Sequence, residues 1–379
     1  MSTPGKLRRI ALNQQGLLRT DRFGRGKAAT LRAVEHIGYV QIDTISVVER
    51  AHHHVLWSRV SNYQPKFLEQ LVKQRQLFEY WYHAASWLPM RDYRFALPRM
   101  ASINGDRNWF ESSDSKLLDH ILERIRAEGP LRARDFEDSR TGKKEWWDWK
   151  PAKQALEQLF MQGDLMVSGR EGFQKIYDLA ERVLPDWVDT RHPGIEEYAA
   201  YLVDTTLAAH GFATRKTMTY LRKGQALRNA ISEQLQARIE ARNLITIKLG
   251  DNNTAYVDPE LLECRAPHTS AAVKILSPFD NLVIQRERGR DIFNFDYQIE
   301  CYLPQQKRQF GYFCLPLLYR DRLVGRIDCK ANRKQQRLEL KSVHLEQEVD
   351  DEFPQRLDSA LQSFAAFNGC REIATTGSG

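Results

Sequence analysis

Two residues near the start of the chain have the types and spacing to activate a water molecule. Gln41 and Asp43 are separated by Ile42 in the stretch Tyr39-Val40-Gln41-Ile42-Asp43. On an extended backbone alternate side chains share a face, so the amide and the carboxylate would point one way while Ile42 turns to the core. A carboxylate so placed accepts a proton from water, and the neighbouring amide holds that water in line. Such a pair suits hydrolytic attack on an electron-poor carbon. The same spacing also arises as a plain polar pair at a strand edge, and spacing by itself does not separate the two.

The histidines His52, His53, His54 and His83 invite a metal reading. Consecutive histidines cannot all face one ion on a regular element, and neither a cysteine partner nor HExxH spacing accompanies them, so no metal and no cofactor is expected. His53, Trp57, Trp81 and His83 sit in aromatic-rich stretches and are candidates to wall a pocket that stacks or excludes a base; the alternative is that they are packed, hydrogen-bonded core side chains. The chain carries no glycine-rich phosphate loop with its lysine, no GxSxG and no persuasive Cys/His pairing.

These residues need elements to hold them. Leu7, Ile10, Ala11, Gln14, Leu17 and Leu18 recur at helical spacing, a second helix is expected over residues 28–36, and Gly38 is placed to end it. In the middle of the chain one pattern occurs twice. Residues 115–128 and 196–209 read as helices ending near Gly129 and Gly211; further helices follow at 152–162 and 225–242, the latter after a short helix at 214–221, then strand pairs turning at 169–172 and 250–253. The helix-ending glycines are 82 residues apart and the hairpin glycines, 169 and 250, are 81 apart. Helix, turn, helix and hairpin is the order of a winged helix, which puts its long helix in a groove and its basic wing on a backbone.

From about residue 268 the texture changes to period two. Strands are expected at 272–276, 292–303, 308–318, 323–329 and 336–345, with a closing helix at 357–367. The expected fold class is therefore α+β: tandem winged-helix domains, three if the looser N-terminal pattern is one, followed by a small antiparallel β-barrel. The expected domains are 1–112, 113–190, 191–266 and 267–379.

The chain has 379 residues, 42% hydrophobic and 28% charged, an ordinary globular composition that excludes wholesale disorder. No run approaches the roughly 18 apolar residues that cross a bilayer, and MSTPGKLRRI has no apolar segment behind its basic residues, so neither membrane insertion nor secretion is expected. Five scattered cysteines suggest no disulfide framework, which points to the cytoplasm. The formal excess of +7 is concentrated in residues 1–34, with a second basic run at 320–341. Clustered positive charge favours a polyanion, because each neutralised phosphate releases counterions. Arg22, Arg25, Lys143, Lys144, Arg170, Lys175 and Lys248 are the candidates for phosphate contact, against the reading of a solvated basic face.

Several stretches together resemble a known family. GYVQIDTISVVERAHHHVLWSR at 38–59, Gln15-Gly16-Leu17, FEYWYHAASWLP at 78–89, LSPFDNL at 276–282 and GRIDCK at 325–330 are similar to the bacterial winged-helix DNA glycosylases of the YcaQ/AlkX and AlkZ group. The resemblance implies tandem winged helices and a β-barrel around double-stranded DNA, with an active-site motif of Gln, an apolar residue, then Gln or Asp. Asp43 in the third position matches the YcaQ-like branch, which is associated with removal of alkylated purines and unhooking of interstrand crosslinks. It also implies a bacterial, cytoplasmic protein acting on alkylated or crosslinked guanine. A monomer is expected, since no feature of the sequence demands a dimer.

The chemistry agrees with the reading of the pair itself. Alkylation at guanine N7 makes the base cationic and a good leaving group, so the enzyme needs a polarised water at C1′ and negative charge beside the oxocarbenium-like sugar. Asp43 supplies both, Gln41 holds the water, and no lysine Schiff base is required. The rival readings are a winged-helix transcription regulator that does no chemistry and, more remotely, a protein-scaffolding array.

Overall fold

The computed structural model describes residues 3–19, 22–105, 114–136, 150–250 and 253–375. Its contacts divide the chain into two units, Met1–Pro65 with Ala199–Gly379, and Lys66–Tyr198. The architecture is mixed α and β, as the patterning requires.

The repeat seen in the sequence is a repeat of topology. In Lys66–Tyr198 the helix Ser115–Glu128 starts at Asp114, whose carboxylate accepts the Lys116 amide, and buries Ile121 and Ile125. There follow the short strand Leu131–Arg132, a turn at Ala133–Phe136, the helix Lys150–Gln162, and a hairpin of Leu165–Glu171 with Gln174–Leu179. The short strand pairs with the second hairpin strand. The larger unit repeats this order with Ile195–His210, Phe212–Thr214, Arg215–Met218, Gln225–Glu240 and the hairpin Ile245–Leu249 with Asn253–Val257. Here too the short strand pairs with the second hairpin strand. Lys66–Tyr198 also carries an earlier hairpin, Leu77–Trp81 with Ala85–Pro89.

The larger unit is organised by a five-stranded sheet in the order Val273–Ile275, Cys314–Tyr319, Arg322–Asn332, Arg337–Leu345, Glu372–Thr375. Neighbours are antiparallel except the last pair. Leu315, Leu317 and Tyr319 alternate along one strand and Ile327, Cys329 and Ala331 along the next, so all reach the same core. The helix Phe353–Phe367 closes it. Phe353, Leu357, Leu361 and Phe364 recur on one face and are buried. Each such side chain contributes about 1.5–3 kcal/mol by leaving water.

Residues 292–303 differ from the expected strand. Arg286–Phe293 is a helix ended by Asn294 in the left-handed conformation, and residues 294–303 pair with no strand. The period-two signal was real: Phe293, Phe295 and Tyr297 are buried while Asn294, Asp296 and Gln298 are exposed. The segment lays its aromatics on the Arg326 guanidinium, about 5 Å from the rings of Phe295 and Tyr297, and burial alternates without a hydrogen-bonded ladder.

Gly325 marks where two strands crowd. A Cβ there would lie 2.1 Å from the His344 carbonyl oxygen, opposite which Gly325 is in register with Leu345. Gly325→Ala must push these strands apart, and thermal denaturation is expected to show a loss of about 1–3 kcal/mol. An unchanged melting temperature would show that the sheet yields there freely.

Candidate active site

The helix Gly26–Ile37 ends at Gly38, whose φ of +82° turns the chain and whose amide reaches back to the Val34 carbonyl. The chain then extends through Val40–Gln41, and Gln41 is buried at 7% exposure. Regular geometry stops there. Asp43 Oδ1 accepts the Ile45 amide at 2.7 Å, a side-chain-closed turn that takes the backbone out of the strand. Ile42 is half-buried and belongs to neither of the unit's two large apolar clusters, in contrast to the core position that strict alternation predicts. The amide thus lies inside and the carboxylate stands half-buried at the turn. Burial raises the Asp43 carboxyl above its ordinary value, and the Ile45 and Thr44 amides draw it partly back.

Downstream, the chain is bolted to the sheet core. The Ala331 amide donates to the Val47 carbonyl at 2.9 Å, and Asn368 accepts the Glu49 amide at 2.6 Å. Ile45, Val47, Val48 and Ala51 pack on the same core as the helix Phe353–Phe367.

Three of the quoted stretches, Gln15-Gly16-Leu17, 38–59 and 276–282, meet in one buried network. Arg59 grips Asp280 with both terminal nitrogens, at 2.6 and 2.7 Å, and neither side chain has any exposure. The same guanidinium donates to the Gln15 carbonyl at 2.8 Å and to Gln15 Oε1 at 3.0 Å. Gln15 in turn donates to the Ala209 carbonyl at 2.7 Å. Next to Asp280, Asn281 donates to the Tyr39 carbonyl at 3.0 Å, two residues before Gln41. With the Arg59 donors all paired, such a network rigidifies what it touches.

His53 and His54 make hydrogen bonds within the fold. His54 is fully buried with Nε2 2.8 Å from the Ile275 carbonyl oxygen, and burial lowers its pKa to about 4. His53 Nδ1 lies 2.7 Å from the Tyr63 hydroxyl, and burial lowers its pKa too. Trp57 stacks on Phe367 with centroids 4.8 Å apart and planes 16° apart. Trp81 and His83 belong to the other unit: Trp81 is 38% exposed with the Arg99 guanidinium 5.9 Å from its centroid, and His83 lies edge-on to Tyr82. Among the described residues no group of three or more His, Cys, Asp or Glu is arranged to hold a metal ion.

Among the described residues the candidate phosphate-contacting cations fall into three sets, and two further candidates lie outside them. Arg170 is held at both ends by the buried Glu79, at 2.6 and 2.8 Å, and Lys175 lies 2.8 Å from Glu157, so their charges are already answered. Arg22 is half-buried and donates to Gln14 Oε1, and burial lowers its pKa. Arg25 and Lys248 are exposed. Arg25 lines a groove of about 600 Å³ with Trp57, Lys274 and Arg356. The Lys274 ammonium, part-buried, donates to the Ser58 carbonyl at 2.7 Å, and burial brings its pKa down to about 8. Lys143 and Lys144 lie outside the described residues.

One exposed loop of the same unit is missed by sequence periodicity. Residues 301–311 form a loop whose end is clamped by Glu300. Its carboxylate accepts the amides of Gln309, Phe310 and Gly311 at 2.8–3.1 Å. Burial works to raise the Glu300 pKa, and the Phe310, Gln309 and Gly311 amides outweigh it, so the net shift is downward. The loop presents Tyr302, 72% exposed, and Tyr312, 38% exposed. The available signal is a polar run, Pro304-Gln305-Gln306-Lys307-Arg308-Gln309, bracketed by Tyr302 and Tyr312 and falling mostly between the expected strands 292–303 and 308–318.

Comparison with known proteins gives the chain its relatives. The sequence profile of the family described as DNA glycosylase AlkZ-like matches residues 34–367, which include Gln41, Asp43, Arg59, Asp280 and the 301–311 loop. Among solved structures, the Streptomyces sahachiroi DNA glycosylase AlkZ is similar with a TM-score of 0.68 at 16% identity, over 100% of both chains, so the two share a fold. With nearly all of its length inside that profile, the chain belongs to the AlkZ-like DNA glycosylases.

Proposed function

We propose that this glycosylase hydrolyses the N-glycosidic bond of N7-alkylated purines in double-stranded DNA and unhooks interstrand crosslinks made through the same atom. Asp43 activates water and stabilises the developing positive charge on the sugar, while Gln41 orients the water. The observation that carries this reading is the position of Asp43. It is half-buried at the end of a strand, raised by burial towards the range of a useful base, and held by the Ile45 amide. One Asp43 oxygen accepts that amide, and a carboxylate has further lone pairs with which to take a proton from water.

In this reading the two repeated helix-and-hairpin units are winged helices, the N-terminal region is a third, and the five-stranded sheet is the barrel module, with modules at 1–112, 113–190, 191–266 and 267–379. Arg25 and Lys248, exposed, are the stronger phosphate contacts of the proposed set, which also includes Arg22, Lys143, Lys144, Arg170 and Lys175. Trp57, His53, Trp81 and His83 remain proposed neighbours of the lesion. The protein works as a monomer in the bacterial cytoplasm, without metal, and without lyase activity because water is the nucleophile.

Incubation with a duplex containing N7-methylguanine, followed by alkaline cleavage of abasic sites, is expected to give one strand break at the lesion, and a crosslinked duplex to be unhooked. Borohydride is expected to trap no covalent adduct. Binding is expected to weaken steeply with salt, by the counterion release of several phosphate contacts. Protection of one palindromic operator with no base release would instead fit a regulator.

A further inference from the structure

We propose that Tyr302 is the residue that recognises the positive charge of the damaged base, by laying its ring against the cationic purine at Asp43. This rests on the role proposed above for Asp43. Tyr302 is 72% exposed, and its ring stacks on no other side chain among the described residues.

The loop that carries it is held firmly. Glu300 clamps the amides of residues 309–311, Asp328 accepts the Tyr312 amide at 3.3 Å, and Arg326 lies under Phe310 at 3.9 Å from the ring centroid. Cys301, immediately before Tyr302, and Ile45, two residues after Asp43, pack against the same apolar core. The Asp43 charge is felt at both loop residues. The Cys301 thiol is pushed up by burial and then by Asp43; the Tyr302 phenol is pushed up by burial, then by Cys301, Asp43 and Tyr312. Tyr312 stands behind with the Arg308 guanidinium 4.9 Å from its centroid, a contact that keeps that ring occupied and leaves Tyr302 to meet a ligand.

An electron-rich ring prefers a cation over its face, and every base offers a π face for stacking. An N7-alkylguanine offers both at once, whereas undamaged guanine offers only the second. Tyr302 and Asp43 would then divide the work: the ring selects the cationic base, and the carboxylate meets the sugar as that charge moves onto it.

The test compares Tyr302→Phe, Tyr302→Leu and Tyr302→Ala in the full chain. Binding is measured on two duplexes, one with N7-methylguanine on a 2′-fluorinated sugar that resists hydrolysis, and one with the uncharged isostere 7-methyl-7-deazaguanine. Single-turnover excision of ordinary N7-methylguanine is measured in parallel. Loss of base–aromatic stacking is expected to lower binding and excision by about 5- to 150-fold in Tyr302→Ala. Tyr302→Phe is expected to stay near wild type and Tyr302→Leu to behave as Ala, losing the preference for the charged base over its isostere.

Wild-type behaviour in Tyr302→Ala overturns the proposal. So does full rescue by leucine, which would make the side chain an apolar wedge, or failure of phenylalanine, which would give the role to the hydroxyl. If the wild type binds the charged base selectively but releases nothing, the proposed chemistry at Asp43 fails while the role of Tyr302 stands.

Discussion

Asp43→Asn is expected to lower single-turnover release of N7-methylguanine by a factor on the order of 10²–10⁴, the usual worth of a positioned base. Affinity for the same duplex is expected to stay close to that of the wild type, because asparagine keeps the shape and still accepts the Ile45 amide through its carbonyl oxygen. The variant is also expected to be no less stable. Burial raises the Asp43 pKa above its ordinary 3.8, so the folded state disfavours the charged form. A group shifted this way contributes stability below its unfolded pKa and loses that contribution as pH rises through the folded pKa. At neutral pH the neutral asparagine removes that cost. Activity runs the opposite way, since the working form is the carboxylate: kcat should fall on acidification through the raised pKa, higher than a solvent-exposed aspartate would show. Full excision by Asp43→Asn, or an acid limb no higher than that of an ordinary carboxylate, would take Asp43 out of the mechanism.

The second large effect is structural. Arg59→Met leaves Asp280 buried without its counter-charge and takes two donors from Gln15. Breaking a buried pair from one side typically costs about 3–5 kcal/mol, because the remaining charge is uncompensated. Equilibrium urea denaturation should report a loss of that order. The double variant Arg59→Met/Asp280→Asn is expected to recover part of it, since the stranded charge goes with the second change. If the double variant is as unstable as the sum of the two single ones, the pair is not coupled and the network does not act as a unit. Asn281 hangs the strand before Gln41 from the same turn, so excision should fall in the single variant even at temperatures where it remains folded.

Particular residues show how far sequence reasoning reaches here. The offsets 129 to 211 and 169 to 250 announce a repeat, and the three-stranded sheets of the two repeated units have the same strand order. This is legible because hydrophobic period, helix-ending glycines and turn residues are local properties. Residues 292–303 alternate like a strand without being one, because alternate burial has two causes. A strand in a ladder produces it, and so does an unpaired segment laid across another surface, and one-dimensional periodicity is blind to hydrogen-bond partners. The pairing of Arg170 and Lys175 is invisible to a count of charges, which does not reveal Glu79, 91 residues from Arg170, or Glu157, folded against them.

By itself the sequence determined the local events: where helices end, which stretch extends, that a glutamine and an aspartate stand two residues apart, and that the basic charge is concentrated near the N-terminus. Tertiary structure alone decided which of those groups stay available for chemistry. Whether a carboxylate is half-buried, as Asp43 is, or sealed against an arginine, as Asp280 is, depends on partners hundreds of residues away. Burial and pairing are properties of the surroundings, so two aspartates that look alike in sequence leave the fold as a candidate base and as a structural counter-ion.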